Sequence, residues 1–289
     1  MRRLIFLAIP LSALALTATS TGGSAVSGAA ASCTKADLKT VTGGKLTVGT
    51  DNPAYPPWFG GAPAKGSKWK ISDPTSGKGF ESAVAFAVAK QLGFGPKDVV
   101  WTYVPFSKSY APGSKSFDFD INEISYTPQR AKVVDFSNSY YDVNQAVVVN
   151  KGTPIAAVRS IAGLRKFRLG VQLGTTSYDA IVNVIRPAQK PRVYDTNDKA
   201  VFALKSKQID AIVVDLPTAF YVTAVQVPNG KILGQLAAKT GEHFGMVLKK
   251  GNPLTACVNQ ALAKLKANGT LQRLQSVWLS KVVGAPVLK

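Results

Sequence analysis

The sequence has few of the residues that bind metals or act as nucleophiles. It contains two cysteines, Cys33 and Cys257, and a single histidine, His243. Three such residues cannot form the four-ligand Cys/His set that is typical of a structural zinc site. No nucleophile–base pair and no cofactor-binding loop is recognisable either. The sequence therefore predicts a protein without a metal, a cofactor or catalytic residues.

Acidic residues are also scarce, with 16 Asp and Glu against 35 Lys and Arg and a formal net charge of +19. Such a charge would suit a nucleic-acid partner, but the lysines are scattered rather than clustered with aromatic residues. The nearest approach to a cluster surrounds Trp69, in a Pro- and Gly-rich stretch that is typical of a solvated loop. We therefore expect no nucleic-acid partner and attribute the charge to attraction by an anionic cell envelope.

No apolar stretch is long enough to span a bilayer. The stretch from Leu4 to Leu16 has thirteen residues, whereas a spanning helix needs about 20. It follows Arg2 and Arg3 and precedes the small residues Ala29–Ala31, an order that is typical of a secretory signal peptide. We therefore predict that residues 1–31 are a signal peptide and that the mature chain is exported to the periplasm or the outer cell-envelope space.

The two cysteines favour a disulfide between Cys33 and Cys257, because an exported protein folds in an oxidising compartment. Two alternatives remain open. Cys33 follows the predicted signal peptide directly and could carry a lipid, although Ala30 stands where that pattern usually has leucine. Both thiols could also remain unpaired.

Apolar residues along the mature chain alternate between strand-like runs and helical spacing. Phe80, Val84 and Val88 predict a helix, and the run Ile209–Val214 predicts a strand. Such alternation is typical of α/β lobes with mostly parallel sheets. Binding sites in such sheets form at the carboxyl ends of the strands.

Two segments that follow predicted strands are rich in small hydroxyl residues, namely Ser125–Arg130 and Gly174–Ser177. A strand-to-helix turn offers unpaired backbone N–H groups and a positive helix end to an anion. Arg130 adds a planar guanidinium that can grip a carboxylate through two parallel hydrogen bonds. Asp215 ends another predicted strand and supplies the charge that an ammonium needs. Together these residues predict a site for the head group of an α-amino acid.

At these segments the chain resembles the solute-binding proteins of polar amino-acid ABC transporters, which have the type II periplasmic binding fold. The resemblance runs from about Lys45 to about Leu279. It rests on the order and spacing of Val48–Asp51 with Tyr55, Gly79–Glu81, Ser125–Arg130, Asp135–Ser137, Gly170–Gln172 with Gly174–Thr176, and Asp215. The resemblance implies that Ser125, Arg130 and Thr176, with Thr175 beside them, hold an α-carboxylate and that Asp215 holds an α-ammonium.

The resemblance also implies a two-lobed α/β protein whose lobes are joined by two crossing strands. Residues 32–148 and 245–289 would form the first lobe, and residues 149–244 the second. The expected function is that of a monomeric receptor, which captures a polar amino acid between its lobes, closes by hinge bending and delivers it to an ABC permease.

The remaining pocket residues implied by the resemblance are Asp51 and three aromatic residues, Tyr55, Trp58 and Phe106. Aromatic faces can flank a ligand side chain and attract a cation. Glu123 stands where many relatives have a small residue. Because positions two apart share a face of a strand, Glu123 is expected to point into the cleft with Ser125.

The charges of these residues predict the kind of ligand. With Asp215 and Arg130 assigned to the head group, Asp51 and Glu123 have no counter-charge, and a buried carboxylate without one is costly. We therefore expect arginine or lysine before glutamine. The alternative interpretation of Glu123 is an ion pair with a neighbouring lysine.

Two other functions are compatible with the sequence. The same fold hosts cyclohexadienyl-dehydratase-like enzymes, in which a cleft carboxylate is the general acid, and Glu123 would be the candidate here. A chemosensory or adhesive envelope protein would use the same pair of lobes, and the sequence does not separate it from a transport receptor.

Overall fold

Helices and strands alternate along most of the chain, as the apolar pattern predicts. The computed structural model describes residues 33–236, 241–279 and 285–289, so the predicted signal peptide lies outside the described residues. The strands are β1 (Leu46–Thr50), β2 (Val99–Tyr103), β3 (Phe119–Asp120), β4 (Val134–Phe136), β5 (Tyr141–Asp142), β6 (Gln145–Asn150), β7 (Leu169–Gln172), β8 (Arg192–Tyr194), β9 (Ala211–Asp215), β10 (Gly230–Leu236), β11 (His243–Phe244), β12 (Val247–Lys249) and β13 (Val287–Leu288).

The α-helices vary from one turn to four turns. They are α1 (Phe80–Gln91), α2 (Phe106–Ser109), α3 (Ile161–Leu164), α4 (Thr176–Ala180), α5 (Asn197–Lys205), α6 (Leu216–Tyr221), α7 (Leu254–Ala267) and α8 (Thr270–Leu279). Helices α4 and α6 each continue into a π-helical turn, at Ile181–Ile185 and Val222–Gln226. Short 3-10 turns lie at Pro74–Ser76, Pro96–Asp98, Arg130–Lys132 and Pro154–Ala157.

The first lobe is built on a five-stranded sheet with the order β2–β1–β3–β12–β4. Strand β1 pairs in parallel with β2 and β3, whereas β12 runs antiparallel to β3 and β4. A single core cluster joins the sheet to α1, α7 and α8 through residues such as Val48, Val84, Val258 and Leu271. All five residues of β1 are buried, as expected of a parallel strand that is covered on both faces.

Gly79 allows α1 to begin in close contact with the preceding loop. Its φ is +91°, and a Cβ at this position would lie 2.4 Å from the Cα of Phe59. Only glycine fits such an approach without displacing that backbone. The approach lets the N–H of Glu81 donate to the carbonyl of Trp58 at 2.9 Å. It therefore fixes the point at which Glu81 enters the interior.

The second lobe is built on a six-stranded sheet with the order β13–β10–β6–β9–β7–β8. Strand β6 is buried along its whole length. Val147 and Val149 pack into one core cluster, while Ala146 and Val148 pack into another. Because side chains alternate between the faces of a strand, β6 contributes to the core on both sides of its sheet.

The division between the lobes differs from the predicted one at two places. The prediction ended the first lobe at residue 148, but all of β6 pairs with β9 and β10 in the second sheet. The crossing lies earlier, where β5 pairs antiparallel with β11 of the return crossing. The apolar run of β6 belongs inside the second sheet because both of its faces are covered there.

The C-terminal strand is the other difference. The prediction placed residues 245–289 in the first lobe, but β13 pairs in parallel with β10 of the second sheet, with Val287 opposite Gln235. Strand β13 covers backbone groups of β10 that an edge strand would leave unpaired. A two-residue strand has too little apolar pattern to be recognised in a sequence.

The predicted disulfide between Cys33 and Cys257 is confirmed, with the two Cα atoms 5.4 Å apart. Cys257 lies in α7 and is buried in the first-lobe core. The bond therefore ties the N-terminal segment to that helix, across a sequence separation of 224 residues.

Two features are absent from the part of the chain that the structure describes. No helix there is both long and apolar enough to cross a membrane. No group of three or more His, Cys, Asp or Glu side chains there is placed to hold a metal ion.

Candidate ligand-binding cleft

A cleft of about 350 Å³ lies between the two lobes. Its walls come from the segments that follow the carboxyl ends of β1, β7 and β9, and from the first turns of α4 and α5. These are the positions at which α/β sheets place their binding sites. The charged residues of the lining are Asp51, Glu123, Arg130, Asp195, Asp198 and Asp215.

Direct contacts close the two lobes on each other beside this cleft. Tyr110 of the first lobe donates its hydroxyl to the carbonyl of Gly174 in the second at 3.0 Å, and Arg130 donates to the same carbonyl at 2.7 Å. A Cβ at Gly174 would lie 2.5 Å from the Tyr110 hydroxyl. Glycine is therefore needed here for the lobes to approach this closely.

Arg130 is held by backbone groups and aromatic rings. Its Nη1 donates to the carbonyl of Ser125 at 2.7 Å, and its guanidinium carbon lies 4.1 Å from the ring centre of Tyr110 and 5.8 Å from that of Phe106. Burial lowers the pKa of Arg130. The strand-to-helix turn predicted at Ser125–Arg130 leads only into the 3-10 turn Arg130–Lys132, where Thr127 Oγ1 accepts from the N–H of Arg130 at 3.1 Å.

The structure brings together the hydroxyl groups of Ser125 and Thr176, whose oxygens are 3.2 Å apart across the lobes. Both donate to the same oxygen, Oε1 of Glu242, at 2.8 and 2.5 Å respectively. The neighbouring Thr175 also lines the cleft but donates to the carbonyl of Gln172 at 2.9 Å. Glu242 is thus the group to which the two facing hydroxyls point.

Gln145 links Glu242 to Asp215. Its amide Nε2 donates to Asp215 Oδ1 at 2.6 Å and to Glu242 Oε1 at 3.1 Å. The hydroxyl of Ser177 donates to Oε1 of the Gln145 side chain at 2.6 Å. This hydrogen bond orients the side-chain amide so that its Nε2 faces Asp215 and Glu242. Burial, and after it the nearby Glu242, raises the pKa of Asp215 well above its usual range.

Glu123 lines the cleft, but not because it lies in a strand. Strand β3 ends at Asp120, and Glu123 adopts a left-handed backbone conformation with a φ of +53°. Its carboxylate accepts from the hydroxyl of Thr218 at 2.6 Å across the lobes. Burial, followed by the charge of Glu81, raises the pKa of Glu123 well above its usual range. The observed partner is thus a second-lobe hydroxyl rather than a lysine.

Glu81 is a fully buried carboxyl group beneath this part of the cleft. Its Oε1 accepts from the backbone N–H of Glu123 at 2.6 Å and from the hydroxyl of Tyr140. Among the described residues, Oε2 has no hydrogen-bond partner. Burial raises the pKa of Glu81 from 4.5 to about 7, against the opposing effect of these hydrogen bonds.

Asp51 and Tyr55 also line the cleft. Asp51 accepts from the N–H of Asn52 at 2.7 Å, and burial raises its pKa. Tyr55 donates its hydroxyl to Asp198 of the second lobe and packs 5.7 Å from the ring of Tyr221. Around Tyr55 the lining therefore combines carboxyl groups and aromatic rings from both lobes.

Trp58, which the resemblance implies as a pocket residue, does not line the cleft. It lies in the core instead. It is fully buried against the rings of Phe80, Tyr141 and Phe244. Its indole N–H donates to Thr218 at 3.0 Å. A large apolar ring gains more from this burial than from a partly hydrated cleft wall.

Sequence reasoning missed Gln145, Asp198 and Glu242. The signal for Asp198 is its place in the first turn of α5, where an acid is common. Gln145 is the only amide in the apolar run of β6, apart from the terminal Asn150. Glu242 precedes the predicted return crossing directly, and no local pattern indicates where its side chain points.

Comparison with known proteins gives a consistent result. Residues 46–281 match the model of the bacterial extracellular solute-binding proteins, family 3. The L-cystine-binding protein TcyJ of Escherichia coli (strain K12) is 31% identical over 254 residues, which cover 85% of this chain and 85% of that protein.

Two solved structures have the same fold. An ancestral arginine-binding protein bound to glutamine has a TM-score of 0.66 and 31% identity, and the match covers 81% of this chain and 97% of that one. The ancestral amino acid-binding protein AncCDT-1, a precursor of cyclohexadienyl dehydratase, has a TM-score of 0.64 and 30% identity over 81% of this chain and 94% of its own.

Proposed function

Because the chain belongs to the bacterial extracellular solute-binding proteins, family 3, we propose that it is an exported receptor for a polar amino acid. It captures the amino acid between its lobes and delivers it to an ABC permease in the membrane. The named amino-acid-binding relatives and the position of the cleft between the lobes support this function. The receptor acts as a monomer in the periplasm or the outer cell-envelope space.

In this proposal the head group of the ligand binds where the lobes meet. Ser125, Arg130 and Thr176, with Thr175 beside them, hold the α-carboxylate, and Asp215 receives the α-ammonium. The short distance between the Ser125 and Thr176 hydroxyls supports this assignment, because one carboxylate oxygen can accept from both.

The charge of the cleft is the observation that carries the choice of ligand. Among the described residues, the lining contains five carboxyl groups and one guanidinium, although the whole chain has a formal net charge of +19. Asp195 is exposed and paired with Lys199, so the choice of ligand rests on the other four carboxyl groups. A buried carboxylate without a counter-charge is costly. A second positive charge on the ligand relieves that cost, so arginine or lysine binds before glutamine.

The ligand side chain points toward three carboxyl groups of the lining, those of Asp51, Glu123 and Asp198. Tyr55 and Phe106 flank the apolar part of the side chain, where aromatic faces also attract a cation. The positions of these groups on the lining support this direction. A similar solved structure is named as an ancestral arginine-binding protein and holds glutamine, so both ligand types are compatible with this fold.

Calorimetry on the mature protein tests the proposal with five ligands: arginine, lysine, glutamine, glutamate and leucine. We expect arginine or lysine to bind tightest, glutamine more weakly, and glutamate and leucine weakest. Tightest binding of glutamate or leucine would contradict the charge argument. Absence of binding by every common amino acid would contradict the receptor function itself.

A dehydratase is the second candidate function, and Glu123 is the residue that favours it. Its raised pKa suits a general acid, and AncCDT-1 is named as a precursor of such an enzyme. The hydrogen bond from Thr218 already engages its carboxylate, however. Incubation with prephenate distinguishes the two functions. We expect no product, whereas product that disappears in Glu123→Gln would favour the enzyme.

A further inference from the structure

Glu242 engages the two hydroxyl groups that the proposed function assigns to the ligand's α-carboxylate. Its Oε1 accepts from Ser125 at 2.8 Å and from Thr176 at 2.5 Å. A hydroxyl has a single proton to donate. While these two protons point at Glu242, neither is available to the carboxylate of an amino acid.

The position of Glu242 lets it contact both lobes at once. It lies directly before β11, on the return crossing, with Ser125 in the first lobe and Thr176 in the second. Gln145, at the start of β6, adds a third donor at 3.1 Å. These contacts connect the two lobes through one carboxyl group.

We propose that Glu242 is an internal competitor of the ligand. The Glu242 carboxylate occupies the subsite that the proposed function assigns to the ligand's α-carboxylate. The inference rests on the proposed function and names Glu242 as a residue that sets the affinity of the receptor for its amino acid. An amino acid binds only after the Glu242 side chain has left. Its apparent affinity is then reduced by the fraction of molecules in which the subsite is free.

A different role for Glu242 would be to accept the ligand's ammonium together with Asp215, since Gln145 reaches both carboxylates. The hydroxyl donors argue against that role. Ser125 and Thr176 supply the protons that a carboxylate needs, and they supply them to Glu242. The two roles predict opposite effects when the carboxylate is removed.

The first test compares Glu242→Ala and Glu242→Gln with wild type by calorimetry with L-arginine. We expect Glu242→Ala to bind at least about tenfold tighter, because a minor competent state is populated at 10% or less. Glu242→Gln should fall between the two, since its amide oxygen can still accept a hydroxyl proton. The control is Asp142→Asn, which removes an exposed carboxylate from the adjacent strand β5 and should change the affinity by less than about twofold.

The second test uses acetate as a probe for the vacated subsite. We expect acetate to raise the melting temperature of Glu242→Ala and to compete with arginine in that variant, but to do neither in wild type. Circular dichroism first verifies that the variant folds, and Glu242→Gln replaces it in both tests if it does not.

Two results would overturn the inference: weaker arginine binding in both Glu242 variants, or an equal effect of acetate on wild type and variant. Failure of the proposed function gives a different pattern, in which no amino acid binds to wild type or to any variant. In that case selective stabilisation of Glu242→Ala by acetate would still support internal competition for a carboxylate subsite. No selective stabilisation would overturn it.

Discussion

Arg130 is held in place by the protein itself. Its guanidinium donates to the carbonyls of Ser125 and Gly174 and stacks on the ring of Tyr110. A side chain that is already ordered loses little further entropy when a ligand binds. Its remaining N–H groups can serve a carboxylate without a large rearrangement.

We expect Arg130→Ala to weaken amino-acid binding by roughly 30- to several-thousand-fold, because truncating one partner of a buried charge pair costs about 2–5 kcal/mol. Calorimetry on the folded variant measures the loss. Arg159→Ala is the matched control, since Arg159 is exposed and, within the described part of the chain, donates only to the carbonyls of Ala156 and Val158. An Arg130→Ala affinity within about threefold of wild type would contradict the assignment, given that expected loss.

Individual site residues could be predicted where a local pattern positions them. Thr176 begins α4 and Asp215 ends β9, so a local pattern indicates where these two lie. Ser125 lies in an isolated bridge to Phe244, beyond the end of β3. Glu242 and Gln145 could not be predicted. Their side chains are directed by contacts between the lobes, which involve residues far apart in the sequence.

At the scale of elements, α1 carries an unusual residue in its first turn. Glu81 is fully buried there, against the preference of carboxyl groups for water. Its hydrogen bond from the N–H of Glu123 supports the left-handed backbone that turns Glu123 toward the cleft. The start of α1 is therefore part of the support of the binding site.

The raised pKa of Glu81 predicts a pH dependence of stability. The folded state binds this proton up to about pH 7, and the unfolded state releases it near 4.5. The stabilising contribution is thus fully present below about pH 4.5 and is lost as the pH rises through about 7. Glu81→Gln has no proton to lose. We expect the free energy of unfolding of the variant to rise relative to wild type between pH 5 and pH 8.

Urea unfolding of both proteins at several pH values measures this difference. Titrating groups distant from Glu81 cancel when the variant is compared with wild type, whereas Glu123 does not, because the charge of Glu81 raises its pKa. Asp142→Asn serves as a control that removes an exposed carboxylate. Parallel pH profiles for wild type and Glu81→Gln would show that Glu81 has an ordinary pKa in the folded protein.

The element order could be predicted more fully than the placement of elements in the sheets. A long periodic segment such as α1 is recognisable, because its buried residues recur at helical spacing. The predicted lobe boundary at residue 148 divides β6, although the whole strand lies in the second sheet. Strand β13 has only two residues. Sheet membership depends on pairing with distant strands, and a short apolar run carries no signal for its partner.

The whole molecule separates its charges in space. The chain has a formal net charge of +19, yet its cleft is lined by five carboxyl groups and a single guanidinium. Among the described residues, the lysines and the arginines other than Arg130 lie outside the lining of the cleft. A cationic ligand approaching from solution is repelled by the surface as a whole and attracted by the cleft.

Salt distinguishes which of these two fields governs ligand capture, because added ions screen charges beyond about 10 Å at 0.1 M. If the cleft governs, the association rate constant of arginine falls as salt rises, by up to about tenfold. If the net charge governs, the rate constant increases with salt.

Stopped-flow tryptophan fluorescence can follow the reaction, since Trp58 donates to Thr218 across the lobes. Glutamine, which is neutral overall and similar in size, is the control and should show little salt dependence. We expect the arginine rate constant to fall, because the carboxylates lie at the point of contact while the surface charges are distant and screened first. An arginine rate constant that rises with salt would mean that the net charge of the chain, and not the cleft, governs ligand capture.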